Sequence, residues 1–133
     1  MIYGIGTDIV VIKRIEDALA RHGDRFLNRI LCPREIAEYV ESAKSAPTRS
    51  LARFLSKRFA VKEAFSKALG TGIGEAMGWH DVRLSHDPKG KPSITVSDAL
   101  QSKLNTENIG ETHVSISDET EHAIAFVVLE IKK

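Results

Sequence analysis

Cysteine is nearly absent from this chain. Cys32 stands alone, so no intrachain disulfide can form, and the composition suits a reducing compartment. Aromatic residues make up only 6% of the sequence, which leaves little for the stacking platforms that read single-stranded nucleic acid. Net charge is lacking too: 19 Lys and Arg stand against 18 Asp and Glu, a formal balance of +1. No apolar run approaches about 18 residues, so no membrane-spanning helix is expected. Met1 to Ile12 contains Asp8 and lacks a basic leader, so no signal peptide is expected either, and a cytoplasmic location follows as the default. No Gly-x-Ser-x-Gly elbow, no zinc-type His and Cys spacing and no Gly-Lys-Ser/Thr phosphate loop occurs. What remains is 133 residues with 42% hydrophobic content, enough for one soluble domain spanning 1–133.

The most informative stretch runs from Arg49 to Gly74. Up to Leu69 it contains no Pro or Gly and is rich in strong helix formers, which predicts a helix of roughly 31 Å. Leu51, Phe54, Leu55, Phe59, Phe65 and Leu69 recur near helical spacing and predict one buried stripe. The remaining faces carry Arg49, Arg53, Lys57, Arg58, Lys62 and Lys67, with Glu63 as the only acid. Arg53/Lys57 and Arg58/Lys62 are like-charged i,i+4 neighbours, each costing roughly 0.2–0.5 kcal/mol. Such a helix is either a solvated basic face or a face awaiting an external anion. Glu63 among amines suits a bound cation whose other ligands are phosphate oxygens.

Residues 2–12 form a nearly continuous apolar run that reads as a buried strand, with Asp8 as its anomaly. A buried carboxylate must be paired, hydrogen-bonded or metal-bound, so Asp8 is either a structural partner or a metal ligand. Lys13 to His22 reads as an amphipathic helix ended by Gly23, with Asp24 capping a short helical turn. Pro33 opens another helix through residue 43, and residues 44–48 form a loop in which Thr48, or Ser50 beyond it, caps the long helix. Gly70 closes that helix, and the backbone at Thr71 and Gly72 could approach a ligand closely. Residues 79–86 and 93–96 read as strands about a turn at 87–92, and 98–108 as a short helix begun by Ser97 or Asp98. Residues 113–118 and 122–131 read as strands paired in a hairpin, the last being the best candidate for a central strand. Acids dominate the C-terminal part: no Lys or Arg falls between Lys103 and Lys132, so an anionic partner would meet the N-terminal half.

Two carboxylates, a Lys and Arg cluster and a glycine-rich turn fit hard-cation chemistry on a phosphate ester. His113 is a candidate acid, base or ligand contact, though a lone strand histidine is commonly structural. The competing reading is a small nucleic-acid-binding domain whose basic helix follows a phosphate backbone. The low net charge and the lack of a helix-turn-helix motif speak against it. A pure interaction scaffold would leave Asp8 and Glu63 unexplained.

GIGTDIV at 4–10, RFLNRIL at 25–31 with Glu35, RFAVKEAFSKALGTGIG at 58–74, GKP at 90–92 and HVSISD at 113–118 occur in one order. Together they resemble the holo-acyl-carrier-protein synthases of the phosphopantetheinyl transferase superfamily, along almost the whole chain. The resemblance implies an α+β fold, a compact antiparallel sheet packed around one long central helix. It implies magnesium-dependent transfer of 4′-phosphopantetheine from coenzyme A to a serine of apo-acyl carrier protein, releasing adenosine 3′,5′-bisphosphate. Asp8 and Glu63 would be the magnesium ligands. Lys67, with Lys62, would neutralise the pyrophosphate. Arg58, Lys67, Gly70, Thr71, Gly72, Gly90, Lys91, Pro92 and His113 would contact coenzyme A. Glu63 is the first candidate for general base and Glu35 the weaker one. Arg14, Arg21 and Arg25 would dock the acidic carrier protein. Stand-alone bacterial members resemble homotrimers with sites between protomers, and neither nucleic acid nor membrane is an expected partner. Asp118 receives no role, and residues 43–50 form a longer loop than the pattern leads one to expect.

Overall fold

The computed structural model describes residues 1–45 and 50–133. Arg49 and Thr48, expected at the start of the long helix, lie outside the described residues, as does most of the expected 44–48 loop. The elements in order are β1 (Ile2–Val11), α1 (Ile12–His22), α2 (Asp24–Ile30), α3 (Pro33–Ser45) and α4 (Leu51–Leu69). There follow β2 (Val82–His86), β3 (Pro92–Val96), α5 (Asp98–Thr106), β4 (Ile109–Asp118) and β5 (His122–Ile131). One antiparallel sheet has the order β1-β5-β4, and a separate hairpin pairs β2 with β3. The expected β4–β5 hairpin is present, and β5 is the central strand of its sheet.

Helix α4 lies at the centre of this α+β arrangement. Ser50 caps its start by accepting from the Arg53 amide at 3.1 Å, and Gly70 ends it in the left-handed region at φ 88°. One buried stripe was expected, but α4 is buried on nearly every side, because the sheet, α1, α2 and β2 all pack on it. Ala60, Ala64 and Ala68, together with Val61, Phe65 and Leu69, are buried there. Arg58 and Lys62, assigned by charge to an exposed face, are buried as well.

Strand β1 presses closely on this helix. A Cβ on Gly4 would strike the Ala68 carbonyl, and one on Gly6 the Ala64 carbonyl, so only glycine permits the contact. The buried-strand expectation for β1 holds on this side alone. Ile2, Ile5 and Ile9 are exposed at 59%, 58% and 62%, because none of the described residues packs over the outer side of the sheet there. Several boundaries also differ from expectation. Helix α3 continues to Ser45, past the expected loop start, and α5 ends at Thr106, before residue 108. Strand β4 begins at Ile109 rather than 113. Trp79–Asp81 is a 3₁₀ turn rather than strand. Asp81 organises it, accepting from the Gly78 amide and the Ser97 hydroxyl, each at 2.7 Å.

Candidate active site

The close approach of β1 to α4 assembles the site. Strand alternation puts Gly4, Gly6, Asp8 and Val10 on one face, so the glycines that admit the helix also aim Asp8 at it. Lys67 Nζ donates to Asp8 Oδ1 at 3.1 Å and to the Thr7 carbonyl at 2.9 Å, yet its side chain remains 53% exposed. Glu63, one turn before Lys67, is half-buried and close enough to feel the charge of Asp8. Burial pushes both carboxyls above the usual range. Lys67 opposes this at both, and Asp8 adds to it at Glu63. Two raised carboxylates of like charge beside one ammonium form an oxygen donor set short of positive charge, which fits a hard divalent cation.

Lys62 does not join them. Its ammonium lies in the interior, donating to Glu35 Oε1 and to the Ile30 carbonyl, each at 2.7 Å. Both side chains of the ion pair are fully buried. Burial pulls the ammonium below its ordinary range, and Glu35 holds it up in part. Glu35 also accepts from the Cys32 amide at 3.0 Å, so neither residue is presented to a substrate. Sequence reasoning placed Lys62 with the cations of the surface because charge alone cannot show which face of α4 the chain covers. Arg58 is buried too, its guanidinium 3.6 Å from the centre of the Phe54 ring.

The glycine turn follows Lys67 directly. The Ser66 carbonyl accepts from the amides of Gly70, Thr71 and Gly72 at 3.0, 3.2 and 3.3 Å, and all three residues are exposed. Pro92 begins β3 opposite His86, and Gly90 and Lys91 lie in the tip of the β2–β3 hairpin. There the Asp87 carboxylate accepts from the amides of Lys89 and Lys91 at 2.8 and 2.9 Å, and Gly90 takes φ 86°.

His113 lies elsewhere. Its register partner on β5 is Val128, itself paired with Ile5, so its side chain stands on the outer face of the sheet, opposite to Asp8. Its Nε2 is 2.8 Å from Glu130 and 3.7 Å from Glu111, and the ligand atoms of these three residues lie within 4.8 Å of one another. Arg14, Arg21 and Arg25 are exposed on α1 and at the start of α2. Near them, His22, Arg25, Phe26 and Arg29 line a concavity of about 200 Å³. Asp118 has a structural part that the sequence did not reveal. It accepts from Arg53 at 2.8 Å and lies 3.4 Å from Lys57, while Arg53 also donates to the carbonyls of Glu119 and Thr120.

The family model of the 4′-phosphopantetheinyl transferase superfamily matches residues 4–127. The holo-[acyl-carrier-protein] synthase of Vibrio cholerae is 50% identical over 133 residues, covering 98% of both chains. The crystal structure of the Neisseria meningitidis synthase superposes with a TM-score of 0.89 at 42% identity, over 98% of this chain and 99% of the other. The Helicobacter pylori synthase, solved in complex with coenzyme A, gives 0.79 at 39% identity, over 95% and 99%. This chain belongs to the 4′-phosphopantetheinyl transferase superfamily, as an enzyme of its holo-[acyl-carrier-protein] synthase family.

Proposed function

We propose that the chain transfers 4′-phosphopantetheine from coenzyme A to a serine of an acidic apo-acyl carrier protein, with magnesium, and releases adenosine 3′,5′-bisphosphate. The observation that carries this reading is the meeting of Asp8, Glu63 and Lys67 where β1 touches α4. Magnesium held by Asp8 and Glu63 would supply charge neutralisation at the pyrophosphate. Lys67, oriented by the Thr7 carbonyl and still open to solvent, places its ammonium against the same oxygens. The serine hydroxyl oxygen bonds to phosphorus as the pyrophosphate linkage breaks, and the leaving nucleotide keeps the bridging oxygen. Glu63, whose raised affinity for protons suits a base, takes the hydroxyl proton directly or through a water. The turn at Gly70–Gly72, one helical turn beyond Lys67, adds exposed backbone for the donor.

The carrier docks on Arg14, Arg21 and Arg25, beside the basic concavity of α2. Contact of His113 with coenzyme A calls for a second copy, since His113 and Asp8 occupy opposite faces of one sheet. The outer face also exposes Ile5, Ile9, Ile124 and Phe126, an apolar strip suited to burial between copies in a homotrimer.

The experiment is intact mass of an apo-acyl carrier protein after incubation with this protein, coenzyme A and magnesium. A gain of one phosphopantetheine, lost on adding EDTA, is expected. No gain across several carriers would overturn the reading.

A further inference from the structure

Lys62 and Glu35 are left over by the chemistry above, yet they form the only ion pair among the described residues with both side chains fully buried. Ile30, whose carbonyl accepts from Lys62, is the last residue of α2. Glu35 lies in the first turn of α3, where it closes the helix start by accepting from the Cys32 amide. One ammonium therefore holds the carbonyl end of one helix and the carboxylate at the start of the next, and both helix dipoles favour those charges.

A buried ion pair is an inefficient source of stability, because apolar residues of similar volume commonly serve as well. What it adds over an apolar contact is a fixed distance and direction. The helix held here, α2, carries Arg25, Phe26 and Arg29 of the basic concavity. The helix doing the holding, α4, presents Glu63 at the very next residue.

We propose that the Glu35–Lys62 pair is a positioning device that sets helix α2, which carries Arg25 of the carrier-docking face, against the Glu63 turn of α4. A docked carrier then delivers its serine in register with the site. This rests on the transfer reading above. Lys62 acts through Ile30 and Glu35 and touches no substrate, so neither residue is catalytic.

The test uses the full-length protein with coenzyme A and a carrier protein varied separately, alongside thermal unfolding. Lys62→Met alone strands a buried carboxylate and should unfold readily, whereas Glu35→Gln/Lys62→Met removes both charges and should melt near the wild type. In the double variant the KM for coenzyme A should stay within about twofold, while kcat/KM for the carrier falls about tenfold or more. Glu35→Asp keeps the charge but shortens the reach, and should show the same one-sided loss in milder form. Wild-type carrier kinetics in either variant would overturn the proposal, since the pair would then serve stability alone. Equal losses towards both substrates would also overturn it. A wild-type protein that transfers nothing would instead defeat the transfer reading.

Discussion

Asp8 and Glu63 repel each other across a half-buried gap that Lys67 only partly compensates. Two outcomes follow for these residues. Asp8→Asn and Glu63→Gln should each abolish magnesium-dependent transfer, read by carrier mass, while circular dichroism shows the fold intact. Glu63→Gln should also raise the melting temperature in EDTA by about 2 °C, because it removes a like-charge contact. Magnesium should stabilise the wild type and not this variant. Asp8 was legible as an anomaly because a carboxylate within an apolar strand demands a partner. Lys62 was misread because its partner Glu35 lies 27 positions away in sequence, and no periodicity within α4 shows what α2 and α3 cover.

At the scale of elements, the contact between β1 and α4 and the β4–β5 turn each rest on a few atoms. Gly6→Ala forces a methyl against the Ala64 carbonyl, so strand and helix must part. A cost of about 1–3 kcal/mol or more is expected from denaturant unfolding, with a loss of activity beyond the loss of fold. Arg53 and Lys57 hold the turn through Asp118. Burial raises that carboxyl, but the Arg53 hydrogen bond and the charge of Lys57 together outweigh it and leave the carboxyl below its ordinary value of 3.8. A carboxylate with a depressed folded value stabilises the protein above the ordinary range and stops doing so as pH falls through the folded value. Asp118→Asn should therefore lower the melting temperature at pH 7, by an amount that shrinks as pH falls below 3.8. The hairpin, the central β5 and the Gly70 cap were readable because turn residues and apolar runs are local signals. The 3₁₀ turn at Trp79 was not, since it depends on Ser97 reaching Asp81 across sequence. The part played by Asp118 was hidden for the same reason, with Arg53 65 positions away.

For the whole molecule, the long helix was legible from the composition of residues 49–69, and the α+β class from the family resemblance that the ordered motifs carry. The two-sidedness of the sheet was not, because an apolar strand reads alike whether its second face meets its own chain or another. If the outer face is an interface, Phe126→Glu should yield monomers by analytical ultracentrifugation and remove transfer while leaving each monomer folded. Mixing inactive Asp8→Ala with inactive His113→Ala should restore part of the activity, since some mixed sites would draw both intact residues from different copies. Recovery of nothing would show that Asp8 and His113 do not meet at a site shared between copies. A sheet with Asp8 on one face and His113 on the other has a kinetic corollary if the site is shared between copies. Each copy would be a reagent for its neighbour, so turnover per molecule would fall on dilution, and the enzyme's own abundance would set how fast it works.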